Sequence, residues 1–146
     1  MITASSIADF IKQMICLRYP TCQMYLHNVP GSAARPYFQI HLDFDRSEDS
    51  NRFLTSETTA LSITYFPPLE GEIPLGLEPF SVYDSIKGVF RKGFLKVGDR
   101  SLKVALIRGG KKDNEIFVIV KFVFDEERPL DEMAYEAIGE VNLKNN

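Results

Sequence analysis

The chain has few of the residues that mark catalytic, metal-binding or disulfide-rich proteins. Among its 146 residues there is no tryptophan, and there are only two cysteines and two histidines. Cys16 and Cys22 match no metal-ligand spacing and cannot build a disulfide framework, so we expect packed, reduced thiols of a cytoplasmic product. His27 and His41 have no cysteine or second histidine at ligand spacing. The sequence therefore predicts neither a metal site nor a cofactor.

An excess of basic charge and a long apolar run are also missing. The 17 Lys and Arg residues are outnumbered by 20 Asp and Glu residues, so the chain lacks the excess of positive charge that non-specific binding to nucleic acid requires. DNA is not expected as a tightly bound partner, and no sequence-specific contact with nucleic acid is predicted. Apolar runs are far shorter than the roughly 20 residues that cross a bilayer, and no signal-peptide pattern is present. With 45% hydrophobic and 25% charged residues, the composition instead predicts one globular domain over residues 1–146.

Hydrophobic periodicity predicts one helix and three strands in the first half of the chain. Apolar residues at helical spacing lie between possible N-cap residues and Pro20. After Pro36, side chains that suit opposite faces of a strand alternate strictly. The predicted elements are a helix from Ser5 to Arg18 and strands from Met24 to His27, from Tyr37 to Phe44 and from Leu61 to Phe66.

The second half predicts a further helix, three strands after it and a closing segment for which a strand is favoured. The strand from Ile116 to Phe124 is apolar at every position except Lys121, which predicts a central strand covered on both faces. The element order α-β-β-β-α-β-β-β predicts an α+β fold with two helices packed on a mostly antiparallel sheet. The elements are a helix from Ser81 to Lys92 with Ser81 as a candidate cap, strands at Leu95 to Val97, Leu102 to Leu106 and Ile116 to Phe124, and a Gly109 to Asn114 hairpin. The pattern of Pro129 to Asn146 is ambiguous: alternation favours a final strand, although Asp131 to Ile138 could also form a helix.

Segments that could carry chemistry are better explained as surface structure. The charged segment from Asp45 to Asn51 predicts a solvated loop, and the Pro- and Gly-rich segment from Pro67 to Pro79 predicts an irregular one. Gly109 to Lys112 lacks the spacing of a phosphate-binding loop, and Asp125 to Glu127 predicts a solvated strand end. His41 and Asp43 share a strand face and could bind a metal, although a solvated face is favoured. No nucleophile elbow is present, so no enzyme is predicted.

Several short segments occur in an order and spacing that point to a family. They are the opening helix from Ile2-Thr3 to Tyr19-Pro20, Arg35-Pro36-Tyr37-Phe38-Gln39-Ile40, Ser62-Ile63-Thr64-Tyr65-Phe66-Pro67, Val97-Gly98-Asp99-Arg100, the strand from Ile116 to Phe124, Asp125-Glu126-Glu127 and Met133. Together they cover nearly the whole chain. In this pattern the chain resembles the phage tail terminator family of Gram-positive phages, prophages and phage-tail-like particles.

The resemblance implies a structural virion protein without a substrate. Members of that family form a ring, usually of six copies, that caps the head-proximal end of the tail tube. The ring stops tube polymerisation and docks the head or connector. The implied partners are other copies of the chain, the tube protein, and a sheath, head-completion or connector protein, with DNA passing through the ring. The implied location is a virion or phage-tail-like particle assembled in the host cytoplasm.

The two predicted loops are the candidate contact regions, and nearby charges are candidate inter-subunit partners. Exposed ion pairs contribute only about 0 to 1 kcal/mol each, so they would determine how neighbouring subunits align more than how tightly they bind. Two alternatives remain: another tail or head-tail completion adaptor, and a small-ligand-binding protein or enzyme using His41, Asp43 and the Pro67 to Pro79 loop. The candidate interface residues are Asp45, Arg46, Glu48, Asp49, Glu70, Glu72, Arg100, Lys111 and Lys112.

Overall fold

Two helices and one six-stranded sheet make up residues 2–127, which are the residues that a computed structural model of the chain describes. The strands lie in the order β1-β2-β3-β6-β5-β4, and β1 with β2 is the one parallel pair among them. The predicted α+β fold and element order are confirmed, whereas the strand predicted within Pro129 to Asn146 lies outside the described residues. The elements are α1 (Ala4–Arg18), β1 (Gln23–Leu26), β2 (Tyr37–Asp49), β3 (Leu54–Phe66), α2 (Pro79–Phe90), β4 (Phe94–Val97), β5 (Arg100–Lys112) and β6 (Glu115–Glu127).

Both helices pack on the same face of the sheet and form the core with it. Thr3 caps α1 by accepting a hydrogen bond from the backbone of Ser6, and Ile7, Ile11 and Ile15 turn inward at helical spacing. Every second residue of the inner strands faces these helices, as alternation requires. The buried side chains from α2 and the sheet include Val82, Ile86, Phe90, Phe38, Ile40, Leu61, Ile63, Tyr65, Val118, Val120 and Phe122.

The opposite face of the sheet, called the outer face below, has no helix or strand over it within residues 2–127. Phe117, Ile119 and Val123 of β6 are half-buried there, and their cover comes from neighbours in the same sheet. The ring of Phe117 lies 3.2 Å from where a Cβ on Gly110 would stand. The predicted central position of this strand is confirmed, since β6 lies between β3 and β5. Residues 2–127 cover only one of its two faces, and lateral packing of large side chains accommodates the apolar residues on the other.

The segment predicted as a loop from Asp45 to Asn51 continues β2 as far as Asp49. Asp45 pairs with Thr59 and Asp49 with Thr55 of β3. That partner stretch is rich in threonine, a strong strand former, so the backbone ladder continues even though the side chains of residues 45–49 are exposed. The loop shrinks to residues 50–53, where the side chain of Asn51 accepts hydrogen bonds from the backbone of Phe53 and Leu54.

The predicted Gly109 to Asn114 hairpin loop is also shorter than expected. Gly109 and Gly110 belong to β5, and the turn consists of Asp113 and Asn114, with Asp113 at a φ of 56°. A Cβ on Gly109 would lie 2.5 Å from the Tyr83 ring of α2 and 2.8 Å from a backbone oxygen of Phe117. The glycine is therefore required by close packing between helix and strand and not by the turn.

The second helix starts earlier than predicted. It begins at Pro79 and ends at Phe90, with Glu78 as an N-cap that makes no side-chain capping bond. Ser81 is therefore not the cap. Proline is favoured in the first turn because a backbone N–H at that position would have no hydrogen-bond partner within the helix, so its absence costs nothing. The φ of proline also already suits a helix.

Candidate assembly surfaces

The predicted interface residues fall at two opposite ends of the sheet. Register fixes this arrangement, because Lys112 pairs with Glu115 at one end, whereas Asp49 pairs with Thr55, and Thr55 with Glu126, at the other. Lys111 and Lys112 thus lie at the same end as residues 67–78, which contain Glu70 and Glu72. The residues at the opposite end are Asp45, Arg46, Glu48, Asp49 and Arg100.

The segment of residues 67–78, called the held loop below, is irregular as predicted but fixed to the core. The hydroxyl of Tyr65 donates to the carbonyl oxygen of Leu77 at 2.7 Å, and both groups are buried. Burial raises the pKa of Tyr65, and the neighbouring Cys22, Tyr19 and Glu78 add to this effect. The phenol therefore stays a neutral donor at physiological pH.

The held loop presents apolar side chains to solvent. Leu75 is 96% exposed, and Leu69 and Ile73 are exposed beside it. Pro67, Leu69, Ile73 and Lys111 also line a shallow depression of about 180 Å³ where this loop meets the β5–β6 hairpin. Exposed apolar groups on a loop with a fixed anchor are typical of a protein contact surface.

At the other end, the β2–β3 hairpin is a polar ribbon with its own side-chain bonds. Asp45 accepts a hydrogen bond from the Thr59 hydroxyl at 2.7 Å, and Arg46 lies 3.2 Å from Glu48. These contacts run along or across the ribbon and leave the side chains of residues 45–49 on β2 in solvent, whereas those of residues 54–60 on β3 are half-buried or buried. The ribbon is therefore available for contact through both its charges and its backbone.

Arg100 binds a carboxylate of its own chain. Its guanidinium lies 2.8 Å from an oxygen of Glu126, which is 5% exposed and also accepts the backbone N–H of Ile2 at 3.2 Å. The prediction of a solvated strand end is wrong for Glu126, because the alternation of β6 continues to this residue and turns it towards the helix side. The inter-subunit role of Arg100 stays a prediction.

The outer face carries an aromatic and charged cluster that sequence reasoning missed. Arg35 lies 3.4 Å from Glu115 and 5.4 Å above the Phe66 ring, which stacks on Tyr37 at 4.4 Å. Beside it is an open depression of about 370 Å³ that Phe66, Phe117 and Lys112 help to line. The signal that could have identified it is the pair Tyr37 and Phe66, which alternation places on the face opposite the core residues Phe38 and Tyr65.

The residues proposed for a metal site do not gain a third ligand. His41 lies 3.6 Å from Asp43, whose carboxylate also accepts the Ser62 hydroxyl at 2.7 Å. Within residues 2–127, no group of three or more His, Cys, Asp or Glu side chains could hold a metal ion. Cys16 and Cys22 are free thiols, and burial raises the pKa of Cys22, which lowers its reactivity as a thiolate.

Comparison with known proteins gives a family match. A family model described as "Phage tail terminator protein" matches residues 6–134, a range that contains the whole sheet and nearly all of α1. No curated protein matches the chain. A solved structure titled only with a sequence identifier is 13% identical, covers 88% of this chain and 98% of its own, and has a TM-score of 0.42. That likeness is too low to support an argument. Neither helix described here is long and apolar enough to cross a membrane.

Proposed function

This chain belongs to the phage tail terminator family, and we propose that it forms a ring that caps the head-proximal end of a tail tube. The family is structural and virion-associated, and its members oligomerise and bind other tail proteins. For this chain we propose a ring of six copies that halts tube polymerisation and docks the head or its connector. The parent particle would be a phage, prophage or phage-tail-like particle of a Gram-positive host.

The family match across helices and sheet carries this proposal, and the placement of the contact surfaces supports it. A terminator must meet the tube on one side and the head or connector on the other. The held loop and the β2–β3 hairpin tip lie at opposite ends of the strands. We assign the held loop to the tube, because its exposed leucines suit a dry contact with a partner protein.

In this proposal the chain has no substrate and catalyses no reaction. Its specificity comes from the shape and charge of its surfaces, and any DNA that the particle packages passes through the ring without base-specific contacts. Assembly takes place in the host cytoplasm, with the tube protein and a sheath or head-completion protein as partners and without a membrane.

Purified chain added to growing tail tubes tests the proposal directly. We expect electron micrographs to show extra density at one end of each tube and elongation to stop at that end. Leu75→Asp should abolish capping without unfolding the chain, since Leu75 is almost fully exposed. Leu17→Asp is the matched control, because Leu17 is 86% exposed on α1, outside the held loop, and should leave capping intact.

The same micrographs separate the terminator from another head-tail completion adaptor. An adaptor would bind tubes that are already terminated and would not stop elongation. Tubes that continue to grow in the presence of the chain would therefore contradict the proposal, even if the chain binds them.

A further inference from the structure

Two edges of the sheet are only partly paired within residues 2–127. On one side, β1 covers β2 from Tyr37 to Ile40 and leaves the outer edge of β2 open over residues 41–49, called the acidic edge below. On the other side, β4 covers β5 from Arg100 to Lys103, and the N–H of Val104 donates to the Gly93 carbonyl at 2.9 Å. The outer edge of β5 stays open over residues 105–112, called the basic edge below.

The two edges have opposite charge. The acidic edge contains four carboxylates and one arginine, a net charge of −3. The basic edge contains three cations and no carboxylate, a net charge of +3. Opposite charges on facing strands stabilise their pairing, and like charges oppose it. Each edge therefore repels a copy of itself and attracts the other. The charged residues are Asp43, Asp45, Arg46, Glu48 and Asp49 on the first edge, and Arg108, Lys111 and Lys112 on the second.

The directions and lengths of the edges also match. Three successive antiparallel pairings lead from β2 through β3 and β6 to β5, so β5 runs opposite to β2. Two copies placed side by side in the same orientation would thus bring the acidic edge of one against the basic edge of the next as antiparallel strands. One edge has nine residues and the other eight, so nearly every residue would find a partner.

The short strands at the edges do not obstruct this contact. β1 lies beside the start of β2, and β4 lies beside the start of β5, at opposite ends of the sheet. If one copy is moved along the strand direction by four residues, the length that each short strand covers, the two open edges face each other. In this position neither β1 nor β4 lies between the two edges. In a closed ring such a stagger is accommodated by tilting the strands, here by about 35° for the four strands β2, β3, β6 and β5 that each copy adds to the continuous sheet.

We propose that the acidic edge of one copy adds to the basic edge of the next, so that the ring is held by a continuous sheet. The inference rests on the proposed ring and names its subunit contact. Such head-to-tail contact is heterologous and closes into a ring when the rotation per copy allows it. It also gives each open edge a partner, which long exposed edges otherwise leave available for aggregation.

Charge reversal tests the contact. In one variant, Asp45→Lys and Glu48→Lys reverse the acidic edge, and in another, Arg108→Glu and Lys112→Glu reverse the basic edge. Each variant alone should sediment as monomer where the unmodified chain forms rings, with a loss of self-association on the order of 100-fold or more. An equal mixture should form rings again, because each reversed edge meets its complement in the other variant. A chain with all four substitutions should form rings by itself.

The control for the acidic-edge variant has the same change in charge at positions away from both edges. Asp9→Lys with Asp84→Lys alters exposed positions of α1 and α2 and should leave rings intact. Restoration by mixing shows that both edge variants are folded, and circular dichroism checks each one alone. Rings formed by either edge variant alone, or a mixture of folded variants that stays monomeric, would overturn the edge contact.

Further outcomes separate this inference from the proposed function. Variants that still form rings but no longer bind the tube would assign the edges to the tube protein and overturn the subunit contact only. An unmodified chain that forms no ring, with or without tube protein, would overturn both proposals.

Discussion

Glu126 links three parts of the chain through one buried carboxylate. A carboxylate that is 5% exposed keeps its charge at low cost only when hydrogen-bond donors replace water. Arg100 at the start of β5 and the backbone N–H of Ile2 supply those donors. The pair thus connects the end of β6 to the beginning of β5 and to the segment that leads into α1.

Removing Arg100 alone should lower the free energy of unfolding more than removing both Arg100 and Glu126. Arg100→Met leaves Glu126 buried without its main partner and should lower the free energy of unfolding by about 3 kcal/mol. The double variant Arg100→Met with Glu126→Met should lose less, since no buried charge remains. Urea unfolding of both single variants and the double variant measures the coupling. Additive losses would show that the two side chains do not depend on each other.

Tyr65 should make stability depend on alkaline pH. Burial raises its pKa in the folded chain, so its contribution to stability is complete below the unfolded value of about 10 and is lost as pH rises above it. Tyr65→Phe should lower the free energy of unfolding by about 1 kcal/mol at pH 8, because the carbonyl of Leu77 loses its donor. Between pH 9 and 11, about one unit either side of that value, the variant should lose less stability than the unmodified chain. Equal losses in urea unfolding would contradict the role of this phenol.

At the scale of elements, the contact of α2 with β5 depends on a glycine. Gly109→Ala should destabilise the chain by about 1 to 3 kcal/mol, because its Cβ would meet both the Tyr83 ring and a backbone oxygen that cannot move aside. Gly88→Ala is the matched control. It lies within α2 with open space around it, so alanine should stabilise the chain by about 0.5 to 1 kcal/mol. Thermal unfolding that shows equal effects at both positions would contradict this packing.

Elements with strong local signals were predictable from the sequence. The apolar spacing of α1 and the alternation in β2 and β3 reflect one buried face each, and Pro67 ends β3 where proline must end a ladder. The order and spacing of short segments identified the family, which the family model confirms over residues 6–134, although no single motif is specific. These features depend on neighbours in sequence, which is why they could be read from it.

Features that depend on distant partners were not predictable. Residues 45–49 look like a loop in isolation, and only the threonine-rich strand beside them makes them a strand. Gly109 looks like a turn residue until Tyr83 is placed over it. Glu126 looks solvated until Arg100 and Ile2 approach it. The division of the candidate interface residues between two ends of the sheet likewise follows from strand register, which the sequence does not contain.

At the scale of the whole molecule, the two ends of the sheet differ from each other, and so do its two sides. Along the strands, the held loop lies at one end and the β2–β3 hairpin tip at the other. Across them, the acidic edge and the basic edge lie on opposite sides. A subunit with two different ends and two complementary sides suits a closed ring between two different partners.

The central claim, that this chain terminates a tail tube, is tested most directly by tail length. Particles assembled with and without the chain can be measured by electron microscopy, with restoration by the unmodified chain as the control. We predict tails of one uniform length when the chain is present and tubes of widely variable, extended length when it is absent. Tails of the same uniform length in both preparations would contradict the claim.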